Sequence, residues 1–150
     1  MQDFVHLHVH TQYSLLDGQA SVARLVDKAM QNGMKGIAVT DHGNMFGIKE
    51  FTNYVNKKNS GPKGEVKDLK KRIAGIEAGT IECADKEAEI AACKAKIVEA
   101  ENKLFKPVIG CEMYVARRTM DLKEGKPDQS GYHLIVLAKN EKGYHNLIKL

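Results

Sequence analysis

The chain has 150 residues, of which 43% are hydrophobic and 28% charged, an ordinary balance for one globular domain. Its net charge of +4 permits contact with a polyanion but does not require it, because the lysines are spread along the chain. No basic and apolar leader is visible, and no stretch approaches the roughly 20 apolar residues that a membrane span needs. We therefore expect a cytoplasmic protein without a membrane partner, and reduced thiols at Cys83, Cys93 and Cys111, which include no C-x-x-C pair.

The first third of the chain predicts alternating strands and helices. Apolar residues and histidines alternate over residues 4–10, which predicts a strand with two different faces. Helical spacing follows over about 20–32, where Gly33 ends the pattern. A near-continuous apolar run beginning at Gly36 predicts a buried strand, and a second helix is expected over about 45–58. This order is typical of a parallel α/β fold.

The middle of the chain has a different composition. Residues from about 60 to 102 are rich in Lys, Glu and Ala, with apolar residues at helical intervals, and predict two helices joined near Gly79. Their charges alternate in sign, which favours a solvated helical surface over a nucleic-acid-binding one. Two further strands, KPVIGCEMYVA and YHLIVLAKN, and the start of a helix complete the chain.

Three histidines stand at alternate positions of the first predicted strand. His8 and His10 point the same way, with Cβ atoms roughly 6.5–7 Å apart, close enough to share one metal ion. Two ordinary surface or core histidines are the alternative, but the carboxyl end of a parallel strand is where α/β folds place their sites. His6 lies deeper on the same face, and we expect it to be an outer hydrogen-bond partner rather than a ligand.

Polar residues also follow or interrupt two later strands. Asp41 and His42 end the second strand; the alternative role of Asp41, capping the next helix, could fall to Asn44 instead. Glu112 lies in an apolar strand, where a carboxylate needs a cation or strong donors, unless it faces water at the strand end. Cys111 should point to the opposite face and pack in the core.

Together these residues predict a metal centre. A parallel sheet would bring the three strand ends side by side, and imidazole and carboxylate ligands without thiolate suit Zn²⁺, Mn²⁺ or Fe. More than four candidates indicate more than one ion, and such clusters usually serve the hydrolysis of phosphate esters. The candidates from spacing alone are His8, His10, Asp41, His42 and Glu112. His133 and Asp17, taken alone, are an ordinary strand histidine and a turn residue.

Four stretches carry a resemblance to a known family: FVHLHVHTQYSLLDG, GIAVTDHGNMFGIKEF, KPVIGCEMYVA and YHLIVLAKNEKGYHNLIKL. They resemble a PHP (polymerase and histidinol phosphatase) domain, more narrowly the N-terminal one of bacterial replicative DNA polymerase III alpha subunits. The resemblance implies an α/β fold in which residues 1–150 form the first part of a (β/α)₇ barrel, with residues 60–104 as an inserted helical hairpin. It also implies a longer parent protein that carries further strands and ligands, and an open edge prone to self-association.

The resemblance further implies a role for each candidate ligand in a centre of three metal ions. His8 and His10 match the H-x-H pair, and Glu112 matches a carboxylate that bridges the first two metals. The other matched ligands are His133 for the second metal and His42 with Asp17 for the third. Asp41 belongs to the T-D-H motif and either ligates or orients.

The function implied is that of a DNA-directed DNA polymerase, with DNA, deoxynucleotides and other replicase subunits as partners and Mg²⁺ at a separate polymerase site. The PHP region would contribute a 3′–5′ exonuclease or phosphoesterase activity in proofreading, and residues 1–150 alone are expected to be inactive. Two alternatives remain: a stand-alone phosphoesterase acting on a small phosphate monoester, and a metal-stabilised scaffold without catalysis.

Overall fold

The computed structural model describes residues 4–150 as a mixed α/β structure. Within these residues it has five α-helices, one three-stranded sheet and a short 3-10 helix. The elements are α1 Val22–Gln31, β1 Gly36–Val39, α2 Ile48–Lys58, α3 Ser60–Glu77, α4 Lys86–Asn102, β2 Lys106–Val115, the 3-10 helix Lys126–Asp128, β3 Tyr132–Leu137 and α5 Glu141–Lys149.

The chain divides into two compact units. One comprises the residues up to Tyr54 together with Lys106–Leu150, and the other is Val55–Phe105. Across the described part of the chain, no helix combines the length and the apolar character needed to cross a membrane.

The sheet has the order β1-β2-β3 and mixed strand directions. β1 and β2 are parallel, from Gly36 opposite Lys106 to Val39 opposite Ile109. β2 and β3 are antiparallel, a direction that the alternation of strands and helices at the start of the chain did not predict. The physical reason lies in the connection 116–131, which contains only a three-residue 3-10 helix. Parallel neighbours usually need a helical crossover, whereas a loop returns the chain in the opposite direction.

Residues 4–10 do not form the predicted regular strand, because a bend at Leu7 and His8 interrupts the alternation. The segment nevertheless lies beside β1. The amide of Ala38 donates to the His6 carbonyl and that of Thr40 to the Val9 carbonyl, both at 2.9 Å. The amide of Val9 in turn donates to Thr40 Oγ1 at 2.9 Å. These bonds align the histidine segment with the strand that leads to Asp41 and His42.

The helix α1 begins and ends close to the predicted positions. Ser21 caps its N-terminus by accepting from the Arg24 amide at 3.4 Å. The buried residues Val22, Val26 and Ala29 recur at helical spacing and pack in the core of the first unit, where all four residues of β1 are also buried. The chain leaves the helix through Gly33, whose φ of 77° favours glycine.

The helical unit contains the predicted pair of helices, α3 and α4. Gly79, with φ of 74°, lies in the connection between them, and Asp85 caps α4 by accepting from the Ala88 amide at 3.0 Å. Arg72 on α3 forms an ion pair with Glu89 on α4 at 2.8 Å. The interior of the pair is apolar, with Ile76, Cys93, Ile97 and Ala100 buried.

One asparagine, Asn59, connects the first part of this unit to its last residue, Phe105, through two hydrogen bonds. Asn59, 5% exposed, lies between α2 and α3; its amide group donates to the Phe105 carbonyl at 2.8 Å. Its side-chain oxygen accepts from the Phe105 amide at 2.9 Å. The two bonds resemble the pair of hydrogen bonds between residues of neighbouring strands. They satisfy the amide and the carbonyl of Phe105, which need hydrogen-bond partners because they are buried.

We therefore expect Asn59→Ala to lower the free energy of unfolding by about 2–3 kcal/mol, because it leaves two buried backbone groups without partners. Urea unfolding followed by circular dichroism measures the change. Asn56→Ala is the matched control: Asn56 is exposed and accepts from Lys63 at 2.8 Å, so its loss should cost less than about 0.5 kcal/mol. Equal unfolding free energies for the two variants would contradict this account.

Candidate metal centre

The centre is built around Glu112, the seventh residue of β2 and only 5% exposed. Backbone bonds extend the parallel pairing of β1 and β2 beyond the end of β1. The Glu112 amide donates to the Asp41 carbonyl at 3.1 Å, and the Gly43 amide donates to the Glu112 carbonyl at 2.9 Å. His42 consequently pairs with Glu112 as an isolated bridge, so the T-D-H segment lies directly beside the buried carboxylate.

Four histidines surround the Glu112 carboxylate. Oε2 lies 3.2 Å from His8 Nε2 and 2.5 Å from His10 Nε2. Oε1 lies 2.8 Å from His133 Nδ1, and His42 Nδ1 is 3.6 Å from Oε2. Side chains from four separate stretches of sequence therefore meet at one carboxylate.

Two opposing effects act on the pKa of Glu112. Burial raises it, because a charged carboxylate loses hydration in the sheet. Hydrogen bonds from His8, His10 and His133 lower it by more, so that the pKa lies below its ordinary value. The group therefore remains an anion in a buried position, the state that binds cations.

His133 reaches the centre because β3 runs antiparallel to β2. It stands directly opposite Tyr114, and directly opposed residues project on the same face of a sheet. Glu112 is two residues from Tyr114 and shares that face. The start of β3 thus meets the end of β2, which brings His133 to Glu112.

Asp17 connects two of the histidines on the open side of the centre. Its Oδ1 lies 3.1 Å from His10 Nδ1, and its Oδ2 lies 3.3 Å from His42 Nδ1. Without the resemblance this residue would have been taken for a turn residue; the structure places it among the candidate ligands.

A tightly folded loop presents Asp17. The Ser14 amide donates to the Thr11 carbonyl at 2.9 Å, and the Gly18 amide donates to the Ser14 carbonyl at 2.7 Å. A Cβ atom on Gly18 would lie 1.7 Å from the Thr11 carbonyl oxygen. Only glycine fits at this close approach, which explains the sequence Asp-Gly at the loop's end.

Asp41 lies beneath this loop and is only 1% exposed. Its Oδ1 accepts from the Thr11 amide at 2.6 Å and from Ser14 Oγ at 3.2 Å, and its Oδ2 accepts from Thr11 Oγ1 at 2.9 Å. The Ser14 hydroxyl oxygen also accepts from the His42 amide at 2.8 Å. Both carboxylate oxygens of Asp41 are thus engaged with the loop, which is an orienting arrangement.

The remaining two histidines lie apart from the cluster. The His6 ring packs edge-on against Phe4, with centroids 4.7 Å apart. Over residues 4–150, no hydrogen bond joins that ring to the cluster; the backbone carbonyl of His6 is what contacts β1. His145 on α5 is exposed and lies 3.8 Å from Glu141.

The candidate ligands lie close enough together to share a cation. His8 Nε2 and His10 Nε2 are 3.2 Å apart, and both face the same oxygen of Glu112. Two nitrogens and one oxygen at these separations are close enough to hold a single metal ion. Imidazole and carboxylate ligands fit Zn²⁺, Mn²⁺ or Fe. Three overlapping groups have ligand atoms within 4.8 Å of one another: His8, His10 and Glu112; His10, Asp17 and His42; and His42, Glu112 and His133.

Three residues that contact the candidate ligands or Asp41 were not predicted from the sequence. Thr11 and Ser14 are 0% and 1% exposed and donate hydrogen bonds to Asp41. Nearby hydroxyl groups could have been predicted as its partners, because a buried Asp needs hydrogen-bond donors. Tyr114 packs against His42 and His133 with ring centroids 4.8 and 5.2 Å away. Tyr114 could have been predicted beside the site, because residues two apart in a strand lie on the same face of the sheet as each other, here Glu112 and Tyr114.

Fold and site together define a class: an α/β domain with a shared histidine and carboxylate centre. The PHP domain family model matches residues 6–150, and the chain belongs to this family.

Among relatives, the chain is similar to proteins named DNA polymerase III subunit alpha. It is 39% identical to that of Borreliella burgdorferi and 38% identical to that of Treponema pallidum, each over 98% of this chain and 9% of the relative. The protein from Aquifex aeolicus is 32% identical over 99% of this chain and 10% of its own length. The chain thus spans about a tenth of the relatives that it matches.

The placement of Asp41 predicts the effect of Asp41→Asn. An amide group would replace one acceptor and face the donors of Thr11 or Ser14, so the loop and His42 should shift. We expect affinity for Zn²⁺ to fall about 10–100-fold, as for other residues that orient ligands, in a competition titration with a chelating dye. His6→Asn is the control: because the His6 ring lies outside the cluster, this substitution should leave the affinity for Zn²⁺ unchanged. The reverse ranking of the two variants would contradict this geometry.

Proposed function

We propose that the chain is the metal-binding PHP region of a bacterial replicative DNA polymerase alpha subunit, and that its site hydrolyses phosphodiesters at DNA 3′ ends in proofreading. The observation that carries the proposal is the convergence of four histidines on one buried carboxylate, with Asp17 at its open side. We further propose that the sheet is the first part of a (β/α)₇ barrel, with residues 60–104 as an inserted hairpin.

The three overlapping groups would hold up to three divalent ions. When bound, Zn²⁺, Mn²⁺ or Fe would activate water and neutralise charge on a phosphate. The residues of the chain bind, orient and expose this centre. Glu112 holds a fixed negative charge, Asp17 aligns His10 and His42, and about half of the His8 side chain (54%) and of the His133 side chain (47%) is exposed. A phosphodiester can therefore approach from solvent.

The nearby nucleophilic side chains argue against a covalent intermediate. The Ser14 hydroxyl is buried and engaged with Asp41 and the His42 amide. Cys111 is buried, its thiol donates to the Asp41 carbonyl at 3.5 Å, and burial raises its pKa. Neither group faces the open side of the centre, so direct attack by water is the mechanism that this environment supports.

The relatives' name supports the wider proposal about the parent protein. It would be a cytoplasmic DNA-directed DNA polymerase with DNA, deoxynucleotides and other replicase subunits as partners and Mg²⁺ at its polymerase site. Residues 1–150 alone would lack hydrolytic activity and would tend to self-associate. Exposed apolar side chains on β3, such as Tyr132 and Leu134 at 61% and 53%, support self-association.

The double variant His8→Ala, His10→Ala tests the proposal. Elemental analysis of the purified chain should find stoichiometric zinc, manganese or iron in the wild type and at least one ion fewer in the variant, because two of the three ligand groups lose nitrogen ligands. In the parent polymerase, the same change should abolish metal-dependent release of 3′-terminal nucleotides from single-stranded DNA.

His145→Ala is the matched control, since His145 lies outside the cluster, and it should change neither result. Exonuclease activity that survives in the double variant would contradict the proposal. Metal binding without hydrolysis would instead favour a scaffold. The ligands come from four separate stretches of the chain, so a bound ion would hold these stretches together. Hydrolysis of small monoesters alone would favour a free phosphoesterase.

A further inference from the structure

An exposed aromatic ring forms one wall of the centre. Tyr114 is 58% exposed, although it packs edge-on against two of the candidate ligands. Its ring plane is inclined by 61° to that of His42 and by 89° to that of His133. The hydrolytic role proposed above requires only the ligands, so it does not account for a large aromatic surface held open to solvent beside them.

The backbone provides the space for this ring. Gly43 has φ of 66°, and a Cβ atom there would lie 3.0 Å from Tyr114 Cε2. A side chain at position 43 would therefore press on the ring as well as strain the backbone. Together with His42 and His133, this close approach fixes where Tyr114 stands relative to Glu112.

A cavity of about 280 Å³ lies between Tyr114 and the loop that presents Asp17. Leu15 and Leu16 line it and are 87% and 102% exposed. Asp17 and His42 line the same cavity, so it opens directly onto the candidate ligands. Two adjacent leucines left almost wholly in water beside an aromatic ring form an apolar surface of the kind that marks a ligand contact.

The polar groups in the cavity wall are already engaged. The Asn44 amide donates to the carbonyls of Tyr13 and His42, both at 3.1 Å, and its oxygen accepts from the Phe46 amide at 3.1 Å. The Ser14 hydroxyl is bound to Asp41. The cavity therefore offers an aromatic ring and aliphatic side chains, but few free polar groups that could form hydrogen bonds with the edge of a ligand.

We propose that this cavity is a nucleobase subsite, in which a base stacks on Tyr114 while the phosphate of the same nucleotide lies at the metal centre. The inference rests on the proposed hydrolytic function and names the part of the substrate that the site holds. Every base has a π-face, so stacking accepts all four. Tyr114 is thus a specificity-determining residue that selects nucleotides over phosphate esters without a base and does not distinguish among the bases.

Isothermal titration calorimetry of the zinc-loaded chain tests the subsite with two probes, 2′-deoxyadenosine 5′-monophosphate and 2-deoxyribose 5-phosphate. The wild type should bind the nucleotide at least about tenfold more tightly, the effect expected of one stacked base. Tyr114→Phe should keep this preference and Tyr114→Leu should lose most of it, while zinc content and affinity for 2-deoxyribose 5-phosphate stay unchanged. Tyr132→Leu, at a similarly exposed tyrosine outside the cavity lining, should behave as wild type.

The outcomes separate the two proposals. Equal affinity of the wild type for both probes, or a preference that survives in Tyr114→Leu, would overturn the subsite and leave the metal centre standing. Failure of both probes to bind the zinc-loaded protein would overturn the phosphate-binding centre and the subsite with it. A preference among the four deoxynucleotides greater than about tenfold would contradict recognition by stacking alone.

Discussion

The carboxylate of Glu112 is a buried negative charge in an apolar sheet, and the surrounding structure supplies what such a charge requires. An unpaired buried carboxylate costs several kcal/mol or takes up a proton. Here four imidazoles lie within 3.6 Å of its oxygens. Hydrogen bonds from three of them, His8, His10 and His133, hold its pKa below the ordinary value. The same contacts bring together nitrogen ligands that belong to separate parts of the chain. The contacts that stabilise the buried anion are therefore the same contacts that bring the candidate metal ligands together.

A second group of contacts, around Asp41, fixes the loop that covers one side of the Glu112 carboxylate. Asp41 is also a buried carboxylate, but its partners are the Thr11 amide and hydroxyl and the Ser14 hydroxyl rather than imidazoles. Gly18 permits the close return of the loop. The two neighbouring carboxylates thus have different surroundings: Glu112 contacts the candidate ligands, and Asp41 contacts the loop that presents Asp17.

Much of this arrangement could be predicted from the sequence, because the informative patterns are local. Periodicity located α1 and the two helices of the hairpin, and an acidic residue in an apolar run singled out Glu112. The antiparallel course of β3 could not be predicted in this way, since strand direction depends on the connection that precedes it. His133 and Asp17 were ordinary residues by spacing, and only the family resemblance marked them. The bend at Leu7 and His8 also could not be predicted, because the alternation of residue types is the same in a bent segment and in a regular strand.

The most direct measurement is the metal content of Glu112→Gln beside the wild type, by elemental analysis of protein purified with zinc and with manganese. Glutamine keeps the size of the side chain but removes the charge on which two of the three ligand groups converge. We expect the variant to be folded, by circular dichroism, and to bind at least one ion fewer than the wild type. An unchanged metal content in the folded variant would contradict the central place given to Glu112.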